Sequence, residues 1–217
     1  MGIKMKRFIG VVSIVIVAAV SATPAHAAQK TSEIKCTSTK AIGHTPKVVA
    51  PAAKSLSKYP RTFTLETNCG NIVISLKPSK APITITQLTT LARSGYFDNS
   101  LCHRLTTLGI YVLQCGDPTA TGRGGPNFNY ADENLPDPVK NNYPEGIVAM
   151  ANSGPDTNGS QFFLVYGKTT LEPNYTIWGK ITKGLDIIKA VAKAGVMGGG
   201  VDGSPAQSFV INKIIIN

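Results

Sequence analysis

The sequence predicts a mainly β domain, a barrel or sandwich of short strands capped by two helices. Three observations carry this prediction. Short apolar runs, several alternating with polar residues, recur between turn residues from Arg61 to the C-terminus. Only two stretches space their apolar residues as a helix does, one opening at Pro82 and one at Leu185. Residues 116–145 are rich in Gly, Pro and Asn and lack periodicity, and so long a loop inside a domain is usually functional.

The elements follow in order. Arg61–Thr67 and Asn71–Lys77 alternate apolar and polar residues around Asn68-Cys69-Gly70, which predicts a β-hairpin. Pro82 opens a helix with Ile85, Leu88, Leu91 and Ala92 on one face, and Gly95 closes it. Strands are expected at Leu101–Leu105 and Ile110–Cys115, then after the long loop at Gly146–Ala151, Gln161–Tyr166 and Tyr175–Ile181. A second helix over Leu185–Lys193 turns Leu185, Ile188, Val191 and Ala192 inward, with Gly195 near its C-cap. Phe209–Ile216 is the last strand.

Ahead of this domain, assigned to residues 61–217, lie two further segments. Lys4, Lys6 and Arg7 precede an apolar run from Phe8 to about Ala22, and Ala25-His26-Ala27 fits a small-x-small cleavage site. This three-part pattern predicts a signal peptide over residues 1–27 and a secreted or extracytoplasmic product without membrane attachment once it is removed. The alternative, an uncleaved membrane anchor, is disfavoured because the apolar run is short of the about 20 residues a span needs. Residues 28–60 are polar and aperiodic and are expected to form a mobile extension. Cys36, Cys69, Cys102 and Cys115 are an even set suited to an oxidising compartment, where two disulfides in any of three pairings are possible.

Composition narrows the chemistry. The 217 residues include 22 Lys+Arg against 12 Asp+Glu, a formal charge of +10 that falls to +7 without the leader's three basic residues. The lysines are scattered rather than clustered with aromatics, so no nucleic-acid partner is expected. Of three histidines only His103 lies in the domain, and no two cysteines have zinc-ligand spacing; no metal or cofactor is expected. Ser55-Leu56-Ser57-Lys58 and Gly198-Gly199-Gly200-Val201-Asp202-Gly203 match short catalytic and dinucleotide motifs, but one sits in the extension and the other follows a helix, so the second reads as a turn.

Two segments can carry function. In Cys102-His103-Arg104 and Tyr111-Val112-Leu113-Gln114-Cys115, Arg104 and Gln114 can share one sheet face, while His103 points away as a structural residue. In Ala151-Asn152-Ser153-Gly154-Pro155-Asp156-Thr157-Asn158-Gly159-Ser160-Gln161-Phe162-Phe163, turn backbone with free polar groups precedes two aromatic rings. Such a set binds an extended peptide over an apolar pocket and contains no nucleophile–base pair.

These motifs resemble the cyclophilin-type peptidyl-prolyl cis/trans isomerases over residues 61–217. The resemblance implies a closed eight-stranded antiparallel barrel capped by two α-helices, and catalysis of rotation about X–Pro bonds in exported proteins. It makes Arg104 the catalytic arginine. Substrate-binding roles fall to Tyr111, Val112, Gln114, Ala151, Asn152, Ser153, Gln161, Phe163, Leu171 and Tyr175. Partners implied are proline-containing peptides and unfolded or folding proteins, with a monomer expected.

Three departures qualify the match. The Arg104–Gln114 segment is two residues longer than the common form, so Tyr111 and Val112 are placed by counting back from Gln114. The 170–174 loop is one residue shorter and lacks the family's frequent tryptophan, which implies weak binding of cyclosporin-like ligands. Tyr175 replaces a histidine. The altered segments also define an alternative, a proline-peptide-binding module with weak or no catalysis.

Overall fold

The hairpin forms as expected. Thr62–Thr67 (β1) and Gly70–Leu76 (β2) pair antiparallel, and in the computed structural model alternate residues Phe63, Leu65, Ile72 and Ile74 are buried. The structure describes residues 1–3 and 34–217. Residues 4–27 of the predicted signal peptide therefore lie outside the described residues. Among the described residues, no helix is long and apolar enough to cross a membrane.

Helix α1, Pro82–Arg93, starts with Pro at N1 and ends before Gly95, whose φ of +70° suits glycine. It is rich in threonine, a poor helix former, because the hydroxyls find partners: Thr86 and Thr90 donate to carbonyls four residues back. Its N-cap, Ala81, has no capping side chain. The Glu133 carboxylate, from the long loop, instead accepts the N–H groups of Ile83 and Thr84 at 3.0 and 2.8 Å. Helix α2, Leu185–Ala194, buries Ile187, Ile188 and Val191.

The remaining strands are Ser100–Leu101 (β3), Arg104–Thr106 (β4), Val112–Cys115 (β5), Ile147–Met150 (β6), Phe162–Val165 (β7), Ile177–Lys183 (β8), Asp202–Gly203 (β9) and Val210–Ile216 (β10). One antiparallel sheet joins all ten, in the order β3-β10-β1-β2-β8-β6-β7-β5-β4-β9. Among the described residues the fold is thus mainly β with two α-helices. Ten strands stand where the resemblance implies eight, and two short features account for the difference. Cys102 and His103 leave the ladder and split the expected Leu101–Leu105 strand into β3 and β4, and β9 adds two residues beside β4.

The main core lies on one face of the sheet. Trp178 packs on Phe63 and Phe162, with ring centroids 6.0 and 5.6 Å apart, and Phe97 adds a further ring against Phe162. A second cluster, with Val112, Tyr143, Phe163 and Val165, lies on the opposite face of β5–β7, and these strands are buried on both sides.

Residues 34–60 form no helix or strand but lie along the domain. Thr37 N–H donates to the Asn68 carbonyl, His44 N–H to that of Pro118, and the Ala52 backbone exchanges two bonds with the Gln87 amide. A Cβ at Gly43 would stand 2.1 Å from the Thr119 carbonyl oxygen, so only glycine permits this approach. The disulfides are Cys36–Cys69, which ties this segment to the hairpin turn, and Cys102–Cys115, which joins the chain just before β4 to the end of β5.

Candidate functional site

Strand register determines which side chains meet. Arg104 on β4 pairs with Gln114 on β5, Gln114 with Phe163 on β7, and Phe163 with Ala149 on β6. Directly opposed residues share a face, so these four form one row on the side away from the main core. Alternation separates the two adjacent rings: Phe162 enters the main core, and Phe163 enters the second cluster.

A cavity of about 290 Å³ opens above this row. Arg104 and Gln114 form its polar edge. Val112, Ile110 and Phe163 form an apolar wall, and Ala151, Asn152, Leu171 and Tyr175 complete it. Phe163, Tyr175 and buried Tyr143 pack edge to face, with centroids 5.6–6.0 Å apart. Tyr143 also fixes the wall by polar contacts: its hydroxyl accepts the Tyr175 N–H at 3.0 Å and donates to the Tyr175 carbonyl at 3.2 Å. Burial pushes this phenol up to about 12.

Arg104 is held at three of its five N–H donors. Nε and Nη2 donate to the two carboxylate oxygens of Asp202, each at 2.7 Å, and Nη1 donates to Gln114 Oε1 at 3.2 Å. The Asp202 hydrogen bonds raise the guanidinium pKa further, and the reciprocal bonds hold the Asp202 carboxyl below its ordinary value. The orientation passes along a chain. Gln114 Nε2 donates to Gln161 Oε1 at 2.8 Å, and Gln161 Nε2 donates to the Gly122 and Gly124 carbonyls.

Gly122 and Gly124 belong to a loop organised by Asp117. This buried carboxylate accepts the N–H groups of Thr119, Thr121, Gly122 and Gly124 at 2.8–3.1 Å. Burial alone pushes its pKa up, but bonds from Thr119, Gly124 and Gly122 outweigh it, and the carboxyl sits below its ordinary value. The loop borders a neighbouring groove of about 400 Å³ that Ser153 and Gln161 also line, with Gln114, Ala151 and Asn152 shared between groove and cavity. The Asn152 side chain ties the two rims, donating to the Asn174 carbonyl at 2.7 Å. Among the described residues, none bonds to the Asn152 backbone N–H or C=O.

Ten of the eleven residues expected at the site therefore meet at the cavity or its adjoining groove. Tyr111 does not. Its ring packs edge to face on Tyr166, 5.9 Å away, and lines a separate opening with Lys168 and Lys193. Residues two apart share a strand face, so counting from Gln114 puts Val112 and then Ile110 on the wall and turns Tyr111 away. Neither ring nitrogen of His103 has a hydrogen-bond partner, and burial lowers its pKa. Sequence reasoning missed Ile110, which alternation could have found. It also missed Tyr143 and Asp202, for which no local signal exists.

A permanently charged side chain thus stands at the edge of a cavity with an apolar wall. Comparison with known proteins makes the class specific. Residues 62–216 match the family model for cyclophilin type peptidyl-prolyl cis-trans isomerase/CLD, and the chain belongs to this family. It is 44% identical over 167 residues to a Mycobacterium tuberculosis protein named probable peptidyl-prolyl cis-trans isomerase B, covering 72% of this chain and 54% of that one. The Mycobacterium leprae protein of the same name is 43% identical over 180 residues, covering 77% and 61%. The chain thus spans little more than half the length of these curated relatives. A crystal structure of a Cryptosporidium parvum cyclophilin type peptidyl-prolyl cis-trans isomerase superposes with a TM-score of 0.63 at 31% identity, covering 73% of this chain and 98% of that one. The same protein has been solved in the presence of the dipeptide Ala-Pro, with a TM-score of 0.62, 30% identity and coverage of 72% and 98%.

Proposed function

We propose that this chain is a peptidyl-prolyl cis-trans isomerase with Arg104 as its catalytic residue. The observation that carries the reading is the Arg104 guanidinium, oriented by Gln114 at the edge of a cavity of about 290 Å³ with an apolar wall. An X–Pro amide is planar through resonance, with a rotation barrier of about 18–20 kcal/mol and uncatalysed exchange over tens of seconds. Twisting the bond breaks the resonance and leaves the prolyl nitrogen pyramidal and basic. An N–H of Arg104 can then donate to it more strongly than in the planar state, which is differential stabilisation. Ile110, Val112, Phe163, Leu171 and Tyr175 would hold the proline ring, and Gln114, Gln161 and the Ala151–Ser153 backbone would anchor the flanking peptide.

The wider reading has support of the same kind. Two disulfides suit an oxidising compartment, so the substrates are X–Pro bonds of exported proteins, after residues 1–27 are removed as a signal peptide. Residues 28–60 are an extension, of which 34–60 lie along the domain as a strap, and 61–217 are the isomerase domain. Closure of the sheet into a barrel is supported by the strand order: β3 and β4 stand near opposite ends of it, yet only Cys102 and His103 separate them in the chain. The substrate class matches the Ala-Pro dipeptide present with the Cryptosporidium relative.

The test is Arg104→Ala in a protease-coupled proline-peptide assay. Removing one preorganised transition-state donor should lower kcat about 10²–10³-fold with the fold intact by circular dichroism. Unchanged activity would overturn the catalytic assignment. Wild-type turnover at the background rate, with peptide still bound, would make the chain a binding module.

A further inference from the structure

We propose that Asp202 is a positioning residue for Arg104, fixing its guanidinium in the orientation that isomerisation requires. The inference rests on the reading of Arg104 given above. Asp202 lies in the glycine-rich run 198–203, which reads in sequence only as a turn.

The first support is the contact itself. A two-point pair, Nε to Oδ1 and Nη2 to Oδ2 at 2.7 Å each, fixes both the plane and the rotation of a guanidinium, as a single bond cannot. With Gln114 on Nη1, two N–H groups remain without a protein partner, one on Nη1 and one on Nη2. Only these are free for a peptide. A free arginine would lose several rotamers on reaching the same geometry, and that entropy would be charged to the reaction.

The second support is the placement of Asp202. It pairs with Thr106 on β4, and Thr106 shares its sheet face with Arg104, so the carboxylate reaches Arg104 along the diagonal. Backbone bonds secure both sides of β9. Thr107 N–H donates to the Val201 carbonyl at 2.8 Å, and Met197 N–H donates to that of Ser204 at 2.8 Å. Gly198 and Gly199, at φ +77° and +80°, turn the chain back to make this return. A Cβ at Gly203 would stand 3.0 Å from Val196 Cγ1, so glycine lets β9 lie close. The run is therefore built to present one carboxylate to one arginine.

The third point separates this role from a merely structural one. The two side chains are 38% and 51% exposed, and such pairs add little to stability. Loss of Asp202 should therefore leave the thermal midpoint almost unchanged while activity falls.

The experiment measures kcat and KM on a proline-peptide series for Asp202→Ala, Asp202→Asn and Asp202→Glu, alone and in an Arg104→Ala background. Ala and Asn should each lower kcat about tenfold with KM within twofold, as expected for an interaction that matters in the transition state. Asp202→Glu, which retains the carboxylate, should recover most of the loss. In the Arg104→Ala background, Asp202→Ala should add nothing. Wild-type kcat in Asp202→Ala, or an equal further loss without Arg104, would overturn the inference while leaving the isomerase reading standing. Full activity in Arg104→Ala would remove that reading and the inference with it.

Discussion

The placement of Ile110 rather than Tyr111 on the wall of the proposed proline pocket can be tested by a pair of substitutions. The Ile110 side chain lines the cavity beside Arg104 and Phe163, whereas Tyr111 lines a different opening and stacks on Tyr166. Ile110→Ala removes three carbon groups from the wall. Each is worth about 0.8 kcal/mol when fully buried, and a half-exposed side chain gives about half of its surface to a bound ring. The loss in transition-state binding should be about 1–1.5 kcal/mol, or about 5–12-fold in kcat/KM. Tyr111→Ala should keep kcat/KM within twofold but lose its ring contact with Tyr166, about 1 kcal/mol of stability. The readouts are a protease-coupled proline-peptide assay and urea unfolding on both variants. A larger loss of kcat/KM in Tyr111→Ala than in Ile110→Ala would refute the strand-alternation argument and restore the alignment made from Gln114.

Two further outcomes concern the scaffold. Replacing Cys36 and Cys69 by serine opens a ring of sequence separation 33, for which the chain-entropy relation gives about 3–4 kcal/mol; the urea midpoint should fall and amide exchange at Thr37 and His44 should quicken, and an unchanged midpoint would show that the strap adds no stability. Asp117→Asn should cost about 2–3 kcal/mol at neutral pH by weakening the bonds to four loop amides. Because the Asp117 pKa is depressed on folding, this stabilisation is present above the ordinary aspartate range and disappears as pH falls through the lower folded value. The titratable groups facing Asp117 are His103 and Tyr96, and neither gains charge as the pH rises to neutral. Unfolding curves of wild type and Asp117→Asn should therefore converge only below the ordinary range, and a constant gap down to strong acid would exclude the linkage.

Much of the fold was readable because local rules and tertiary contacts agree. The hairpin at Asn68-Cys69-Gly70, Pro82 at the start of α1 and Gly95 beyond its end need no distant partner to be recognised. Features made by distant partners were not readable. The strand expected at Tyr175–Ile181 begins at Ile177, because Tyr175 is held by Tyr143, and the Thr176 hydroxyl accepts the Glu133 N–H. β9 is two residues long and exists only through pairing with β4. The strap has no hydrophobic period because hydrogen bonds, one disulfide and the scattered core contacts of Ile34, Val49 and Tyr59 secure it, rather than one continuous buried face. At the site, Arg104, Gln114 and Phe163 stood out in sequence as motif residues, but their alignment in one row depends on three strand registers.

That row also explains why the site lies on the face away from the main core. The inner face of the sheet is filled by Trp178, Phe63, Phe97 and Phe162, which leaves no path for an extended peptide. A pocket on the opposite face must make a second apolar cluster, and an open sheet surface would leave it wet. The long loop and the 170–175 loop cover it instead, bridged by Tyr143–Thr169 and by the Tyr143 hydroxyl on Tyr175. Loops are soft by nature, so precision has to come from anchors that are not. Asp117 gathers four amides, Asn152 joins the two rims, and Cys102–Cys115 flanks the Arg104–Gln114 pair. Under the proposed isomerase reading, catalysis only turns a bond, transferring neither proton nor electron, and so depends on holding few donors still. The polar network around Arg104 holds three of its N–H groups.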